Sequence, residues 1–316
     1  MTRFDRGFAA VFTPEISERY FHPRPAARPT LDAQTFNLPL AWWLAELSRL
    51  CYARDPGEIG GTVADVGRDH WLGEVGLAEV ATLERSPGHL SAIVVDDAHG
   101  AVFGQGGARC VVFRGTDSMQ DWYDNFRAVQ VAMRGNGQVH AGFLSVLDLV
   151  WTPLLPWVTA SPYPLLITGH SLGGALAALC ATRLAELSIA FAACYTFGAP
   201  ALGDLAFATS TEKLNIHRVV HHLDMVAMLP VSLGHVRWEH AGKAWYCLPG
   251  GRCLGPLCEP DLDSLRQQEG WRLDAFALTR LMTGIGGQGV EVPEFISDHA
   301  PVNYTAAVEA AIAATT

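Results

Sequence analysis

The sequence predicts an α/β fold in which a mostly parallel central sheet is flanked by helices. Several short, nearly continuous apolar runs are bounded by glycine or proline, and helix-like segments lie between the later ones. Strands that are buried on both faces of a parallel sheet have this apolar character. Hydrophobic residues make up 49% of the 316 residues, which is enough apolar material for one large core. We therefore expect a single domain, although the length alone would allow two.

In chain order, the predicted elements begin after a proline-rich stretch. Residues 1–40 contain repeated prolines and little periodicity, so we expect an extended N-terminal arm on the surface. The first helix is expected over 41–50, where apolar residues recur at helical spacing. Strands are expected over 91–95, 110–113, 164–168, 191–197 and 216–220, and further helices over 143–149 and 175–187.

The main domain is expected to span 41–316, and residues 241–290 within it differ in character. They contain paired glycines, three cysteines and several prolines. We expect a loop-rich insertion with one helix over 261–268, placed before the final helix. Its three cysteines, with two histidines just before it, could bind zinc, but the absence of a C-x-x-C pair argues against a metal site; a disulfide among the cysteines is the alternative. These residues are His235, His240, Cys247, Cys253 and Cys258.

The charge balance excludes several classes of partner. The chain has 22 Lys and Arg against 32 Asp and Glu, a net charge of −10, and no basic patch, which argues against nucleic acid. No apolar stretch approaches the ~20 residues of a membrane-spanning helix. Charged residues interrupt the first 20 residues, so no signal-peptide core is visible. We expect a cytoplasmic protein without a transmembrane segment, and export by another route stays open.

The most specific local motif is the G-x-S-x-G pattern at Gly169-His170-Ser171-Leu172-Gly173. It directly follows the predicted strand over 164–168 and precedes the predicted helix over 175–187. A serine on such a sharp turn is exposed at the sheet edge, and its flanking residues must be small. The following helix directs free N–H groups toward the site. The alternatives are a glycine-rich turn without chemistry and, less consistent with the missing lysine, a phosphate loop.

A nucleophilic serine in this setting needs a base and an acid, in the chain order serine, acid, histidine. Asp224 follows the predicted strand over 216–220 and is the acid candidate, whereas its competitor Asp204 is expected to cap a helix. His299 lies in a loop that leads into the final helix, which favours it as the base. His235 and His240 remain alternatives for that role.

A second oxyanion donor is expected in the loop after an earlier strand. Arg114-Gly115-Thr116 follows the predicted strand over 110–113, and its glycine would let the backbone approach the serine. Thr116 offers an N–H group and a hydroxyl there. An ordinary glycine turn is the alternative interpretation.

Six motifs occur together in one order, and their combination resembles the class 3 lipase family, the fungal-lipase-like α/β-hydrolases. The resemblance extends from about residue 41 to 305. The motifs are Val112-Phe113-Arg114-Gly115-Thr116, Val139-His140-Ala141-Gly142-Phe143, Gly169 to Gly174, Phe197-Gly198-Ala199-Pro200 with Gly203, Arg218 to Asp224 with Leu229-Pro230, and Asp298-His299 with Tyr304.

The resemblance implies an α/β-hydrolase fold and assigns roles to residues. Ser171 would be the nucleophile, Asp224 the acid and His299 the base. Thr116 and Leu172 would be the oxyanion donors. The family's lid would fall at about 117–134, where Trp122, Tyr123 and Phe126 are candidates for the lid and acyl pocket; a solvated surface helix is the alternative.

The expected function is therefore hydrolysis of carboxylic esters, in particular lipids at a lipid–water interface, without a metal or a cofactor. A phospholipase A1 or an esterase of soluble esters would use the same three residues, as would an amidase, a peptidase or an acyltransferase. A different class is a binding or scaffold protein that keeps the fold without the activity.

Overall fold

A computed structural model describes the central sheet and most of the helices around it. Eight strands form this sheet in the order β1-β2-β3-β6-β7-β8-β9-β10, and β4 pairs separately with β5. The described residues are 4–7, 10–11, 19–31, 35–53, 67–86, 89–104, 106–116, 129–133, 135, 137–230, 232, 236–269 and 292–315.

Strands and helices alternate in the middle of the chain, as in an α/β fold, while other strands follow one another directly among the described elements. The strands are β1 Ala78–Ser86, β2 His89–Asp96, β3 Arg109–Phe113, β4 Gln130–Ala132, β5 Gln138–His140, β6 Leu165–His170, β7 Ala193–Phe197, β8 Ile216–His221, β9 Lys243–Leu248 and β10 Arg252–Leu257. The helices are α1 Leu38–Leu50, α2 Arg68–Glu74, α3 Ala141–Thr159, α4 Leu172–Glu186, α5 Leu205–Thr211, α6 Glu259–Gln268, α7 Glu294–Ser297 and α8 Pro301–Thr315, with a 3-10 turn at Val226–Met228.

The centre of the sheet is parallel and its edges are antiparallel. Parallel pairing joins β3 to β6, β6 to β7, β7 to β8 and β8 to β9. Antiparallel pairing adds β1 and β2 at one edge and β10 at the other. All residues of β3, β6, β7 and β8 are buried. The prediction of a mostly parallel sheet flanked by helices is confirmed, because these strands carry the continuous apolar runs of the sequence.

Two apolar cores cover the two faces of the sheet. One core contains α1 and residues of α8, and the other contains α3 and α4. Parallel strands run in one direction, so the turns that follow them emerge at the same sheet edge. The carboxyl ends of β6 and β8, with the loops that follow, therefore meet there.

The N-terminal region differs from the predicted arm in two ways. Helix α1 begins at Leu38 rather than residue 41, because Pro39 is accommodated in its first turn and Asn37 caps it by accepting from Leu40 N at 2.8 Å. The arm is also anchored rather than superficial, since Tyr20 and Phe21 are each 1% exposed.

The insertion is more ordered than predicted within its described residues, 241–269. In place of loops it contains β9 and β10, an antiparallel hairpin that extends the sheet, followed by α6. Gly250 and Gly251 have φ values of +97° and +86° and form the connection, so a Gly-Gly pair between two apolar runs was the signal for a hairpin. Residues 270–290 lie outside the described part.

Among the described residues, one helix has the length and apolar composition that could cross a membrane. It is α3, with 19 residues. Five of its side chains, spaced three or four residues apart, are buried in the core beside α4: Phe143, Leu147, Val150, Leu154 and Val158.

Candidate active site

Ser171 lies on the sharp turn between β6 and α4, with a φ of +58° that is unusual for a residue other than glycine. A Cβ atom on Gly169 would lie 2.2 Å from the carbonyl oxygen of Gly173, and one on Gly173 would lie 2.2 Å from the carbonyl oxygen of Phe113. The turn is therefore possible only with glycine on both sides of the serine.

The structure brings together the three residues predicted as nucleophile, base and acid. His299 Nε2 lies 2.9 Å from Ser171 Oγ. His299 Nδ1 lies 2.9 Å from Oδ2 and 3.1 Å from Oδ1 of Asp224. These three side chains, separated by up to 128 positions in the chain, form one continuous hydrogen-bonded series.

Asp224 is fully buried at the far end of this series. Its Oδ2 accepts a hydrogen bond from the Tyr304 hydroxyl at 2.5 Å, and its Oδ1 accepts from Val226 N at 2.8 Å. Burial alone would raise the pKa of Asp224. The attraction of His299 and the hydrogen bonds from His299, Tyr304 and Val226 outweigh that effect and lower the pKa below its ordinary value. The carboxylate is therefore ionised and fixed in orientation.

Tyr52 and His170 position the loop that carries His299. His170 Nε2 lies 2.7 Å from the carbonyl oxygen of His299, and His170 Nδ1 lies 2.9 Å from the hydroxyl of Tyr52. A carbonyl only accepts, so Nε2 carries the proton and Nδ1 accepts from Tyr52. Burial lowers the pKa of His170 to about 3, which keeps this ring neutral.

A second histidine holds the preceding carbonyl of the same loop. His221 Nδ1 donates to the carbonyl oxygen of Asp298 at 3.1 Å, and burial lowers the pKa of His221. The carboxylate of Asp298 binds His222 Nδ1 at 2.9 Å and Leu223 N at 3.0 Å. The loop before α8 is thus bound to residues at the end of β8 through both the carbonyl oxygen and the carboxylate of Asp298.

The two predicted oxyanion donors lie beside the serine turn. Leu172 is the first residue of α4, and Ser171 forms no side-chain cap with the first turn of this helix. The loop that contains Thr116 follows β3, whose Phe113 is the register partner of Gly169. The Thr116 hydroxyl oxygen is buried without a hydrogen-bond partner among the described residues. A Cβ on Gly115 would lie 2.8 Å from the carbonyl oxygen of His170, so this loop and the first turn of α4 both lie beside the turn that carries Ser171.

Sequence reasoning did not assign roles to Tyr52, His170 or Tyr304. His170 is a variable position of the G-x-S-x-G motif, and Tyr304 was recognised only as part of a motif. Tyr52 gave no signal in the sequence, because its partner His170 is 118 positions away.

The other candidates have different positions. Asp204 caps α5 by accepting from Phe207 N at 2.8 Å, as predicted. His299, rather than His240, is bonded to Ser171. Four predicted residues lie outside the described part of the chain: Trp122, Tyr123, Phe126 and His235.

Within the described ranges, the side chains that could hold a metal ion are His222, Glu294 and Asp298, rather than the cysteines of the insertion. Glu294 is already paired with Arg6 at 2.7 Å, and Asp298 with His222. Cys247 and Cys253 instead face each other across β9 and β10 with their sulfur atoms 2.7 Å apart.

Comparisons with known proteins give consistent matches. The family described as lipase (class 3) matches residues 110–233. The chain is 33% identical over 168 residues to a lipase of Rhizomucor miehei, covering 49% of this chain and 46% of that protein. It is 35% identical over 130 residues to the secreted mono- and diacylglycerol lipase 1 of Fusarium solani, covering 38% of each. A crystal structure of a lipase from Rhizopus microsporus var. chinensis has a TM-score of 0.51 and 25% identity, covering 66% of this chain and 72% of that one.

These matches confirm the α/β-hydrolase fold and the family resemblance. The chain spans a little under half the length of the Rhizomucor relative, 46%. They also correct one expectation. The prediction of a cytoplasmic location is wrong, because the Fusarium relative is named as a secreted enzyme.

Proposed function

We propose that the protein hydrolyses carboxylic esters of lipids through a covalent intermediate on Ser171, because residues 110–233 match the class 3 lipase family. The observation that carries this proposal is the series from Ser171 Oγ through both ring nitrogens of His299 to Asp224, with distances of 2.9 Å at each step. A serine hydroxyl becomes a nucleophile when a base of this kind removes its proton.

In the first step, Ser171 Oγ attacks the ester carbonyl while His299 Nε2 takes the hydroxyl proton. Asp224 accepts from His299 Nδ1 and stabilises the imidazolium that forms. Tyr304 keeps this carboxylate in place, because it donates to the oxygen that faces the imidazole. His299 then gives its proton to the leaving alcohol, and the acyl group stays on Ser171.

The negative charge on the substrate oxygen needs donors that are already oriented. The N–H groups of Leu172 and Thr116 supply them in this proposal, and the Thr116 hydroxyl can add a third. The positive end of the α4 dipole acts in the same direction. In the second step, His299 takes a proton from a water molecule that attacks the acyl carbonyl, and returns it to Ser171 Oγ as the bond between Oγ and the acyl carbon breaks and the carboxylic acid leaves.

The intact series of Ser171, His299 and Asp224 favours an enzyme over a scaffold protein. The Fusarium relative is named for mono- and diacylglycerols and for secretion. We therefore propose acylglycerols as the substrate class and an extracellular site of action. The lid segment at about 117–134, with Trp122, Tyr123 and Phe126, remains part of the proposal as the cover of an apolar cleft.

The test is a panel of acyl esters of increasing chain length, each assayed as monomers and as an emulsion. We expect turnover to rise at the emulsion interface, and Ser171→Ala to lower it by at least about 10³-fold. The matched control is Ser145→Ala, because Ser145 is an exposed residue of α3 whose hydroxyl bonds only to carbonyl oxygens within that helix. Hydrolysis by Ser171→Ala near the wild-type rate would refute the proposal. Turnover of monomeric esters without a rise in emulsions would show that the enzyme is an esterase rather than a lipase.

A further inference from the structure

A group of polar side chains lies in the apolar layer between the sheet and α6, and the proposed hydrolysis does not use it. Arg218 of β8 is 1% exposed and Arg266 of α6 is 2% exposed. The layer around them is formed by apolar residues of the same elements and their neighbours: Val220, Ala227, Ala244, Leu248 and Leu262. Two arginines buried this completely are rare unless each is paired.

Strand register and helix spacing explain why these groups converge. Arg218 is the register partner of Ala244, and Val220 is the partner of Tyr246. Side chains two positions apart share one face of a strand, so Arg218 and Tyr246 point to the same face of the sheet. On α6, Glu259, Leu262 and Arg266 follow each other at spacings of three and four and share the face that covers it.

Most polar atoms of this group have no partner. Arg218 Nη2 pairs with Glu259, but Arg218 Nε and Nη1 are buried without a hydrogen bond among the described residues. Arg266 Nη1 lies 3.4 Å from Asp263 Oδ1, while its Nε and Nη2 are likewise unpaired. The Tyr246 hydroxyl is a further buried atom without a partner there.

The charges are also poorly compensated on the buried side. Burial lowers the pKa of Arg218; the attraction of Glu259 opposes this effect in part, and the neighbouring charge of Arg266 adds to it. The carboxylates that could balance them lie toward solvent, since the side chain of Glu259 is 35% exposed and that of Asp263 is 61% exposed. A water molecule could accept these hydrogen bonds but would bring no negative charge. Unpaired buried charges of this kind are costly.

We propose that Arg218, Tyr246 and Arg266 form a binding site for a small oxyanion of the carboxylate, phosphate or sulfate type. Nε and Nη2 of Arg266 are the two donors on one edge of the guanidinium, and together they fit two oxygens of one oxyanion. Arg218 and the Tyr246 hydroxyl supply additional donors around the same ligand. The site lies between β8 and the insertion, and it takes no part in the proposed chemistry at Ser171.

The test measures thermal unfolding of the full chain against acetate, phosphate or sulfate, at ionic strength held constant with chloride. The protein is first unfolded in urea and refolded in chloride buffer, which removes an anion trapped during expression. We expect the unfolding temperature to rise and to saturate with at least one oxyanion, as binding to the folded state requires. Comparison of acetate with phosphate and sulfate distinguishes a planar carboxylate from a tetrahedral ion. Exclusion of sulfate or phosphate from the surface also stabilises proteins but does not saturate.

Three variants separate binding from folding. Arg266→Lys keeps the charge but loses the two-donor edge, and we expect it to raise the apparent Kd at least about tenfold. Tyr246→Phe removes one donor and should weaken binding by about fivefold. Arg252→Met is the matched control, because Arg252 is an exposed arginine of β10. A wild-type protein without a saturable rise, or an equal rise in Arg266→Lys, would overturn the proposal, as would a crystal grown in the oxyanion with the largest rise that shows only water at Arg266.

Discussion

The hydroxyl of Tyr304 in α8 lies 2.5 Å from Oδ2 of Asp224, the same oxygen that accepts from His299 Nδ1 at 2.9 Å. Helix α8 therefore holds the acid at the same oxygen that binds the imidazole. Because Asp224 has no exposure to solvent, bulk water does not compete with Tyr304 for this oxygen.

Tyr304→Phe should lower kcat by about tenfold with little change in KM, because the hydroxyl orients the acid and does not touch substrate. The loss of one hydrogen bond to a buried charge should also lower the free energy of unfolding by about 1–3 kcal/mol. Steady-state kinetics and urea unfolding measure both effects. Tyr163→Phe is the control, because Tyr163 is half-buried and lies in a different part of the chain from Tyr304. Unchanged kcat in Tyr304→Phe would show that Asp224 is held sufficiently without it.

Gly198→Ala should reduce turnover by at least about 100-fold. Gly198 has a φ of +58°, and a Cβ there would lie 2.7 Å from Asp224 Oδ2 and 3.1 Å from His299 Cε1. The methyl group would therefore displace the acid or the base as well as strain the backbone. Gly73→Ala is the matched control, because a Cβ at this position of α2 meets no atom within 4 Å. Equal activity of the two variants would contradict the geometry of the site.

His140 should make the protein less stable as the pH falls from 6.5 toward 4. Its Nδ1 caps α3 by accepting from Gly142 N at 3.2 Å and Phe143 N at 3.4 Å, and burial lowers its pKa to about 4. The unfolded chain takes up a proton at about pH 6.5 while the folded chain does not, so acid favours unfolding in this window.

His140→Asn keeps an acceptor at the cap but does not titrate. Between pH 7 and pH 5 we expect it to lose about 1 kcal/mol less stability than the wild type, after allowance for solvent screening. Urea unfolding at each pH measures the difference, with the exposed His99→Gln as control. A parallel loss in His140→Asn and wild type would exclude this role.

Cys247 and Cys253 should be joined in protein recovered from an oxidising medium. They are register partners in the hairpin, with sulfur atoms 2.7 Å apart. A small-molecule disulfide can oxidise the pair: the two thiols lose two protons and two electrons as the S–S bond forms, and the oxidant becomes two thiols. Closing this short loop should stabilise the fold by about 2 kcal/mol.

The chain contains seven cysteines, so a thiol titration in denaturant should find five before reduction and seven after it. Cys258→Ser, which removes an exposed cysteine, should leave four before reduction. Seven thiols in the oxidised wild type would contradict the pairing.

The site was predictable from sequence to the extent that its residues depend on local structure. The glycines around Ser171 are required by a turn of a few residues, and Asp224 follows a strand whose apolar run is visible. Tyr52 could not be found in this way, because its role depends on contact with His170 across 118 positions. Tyrosines and histidines are common in cores, and the residues next to them in the sequence do not indicate which atoms they contact in the fold.

The missed hairpin and the buried arginines have a similar explanation. The run over β10 contains Gly255 and Pro256, which weaken a strand pattern, and only pairing with β9 stabilises it there. Arg218 was visible inside an apolar strand, but its burial follows from α6 packing above it. That helix ends in the polar residues Arg266-Gln267-Gln268, which are equally typical of a solvated face.

Labelling with a fluorophosphonate tests the role of Ser171 most directly, because this probe reacts with serines activated by a neighbouring base. The labelled protein is digested, the modified peptide is identified by mass spectrometry, and ester hydrolysis is followed on the same sample. We expect one adduct, on Ser171, with hydrolysis lost in proportion to labelling and no adduct in Ser171→Ala. Full hydrolysis by protein that is completely labelled on Ser171, or labelling confined to another serine, would contradict the proposed function.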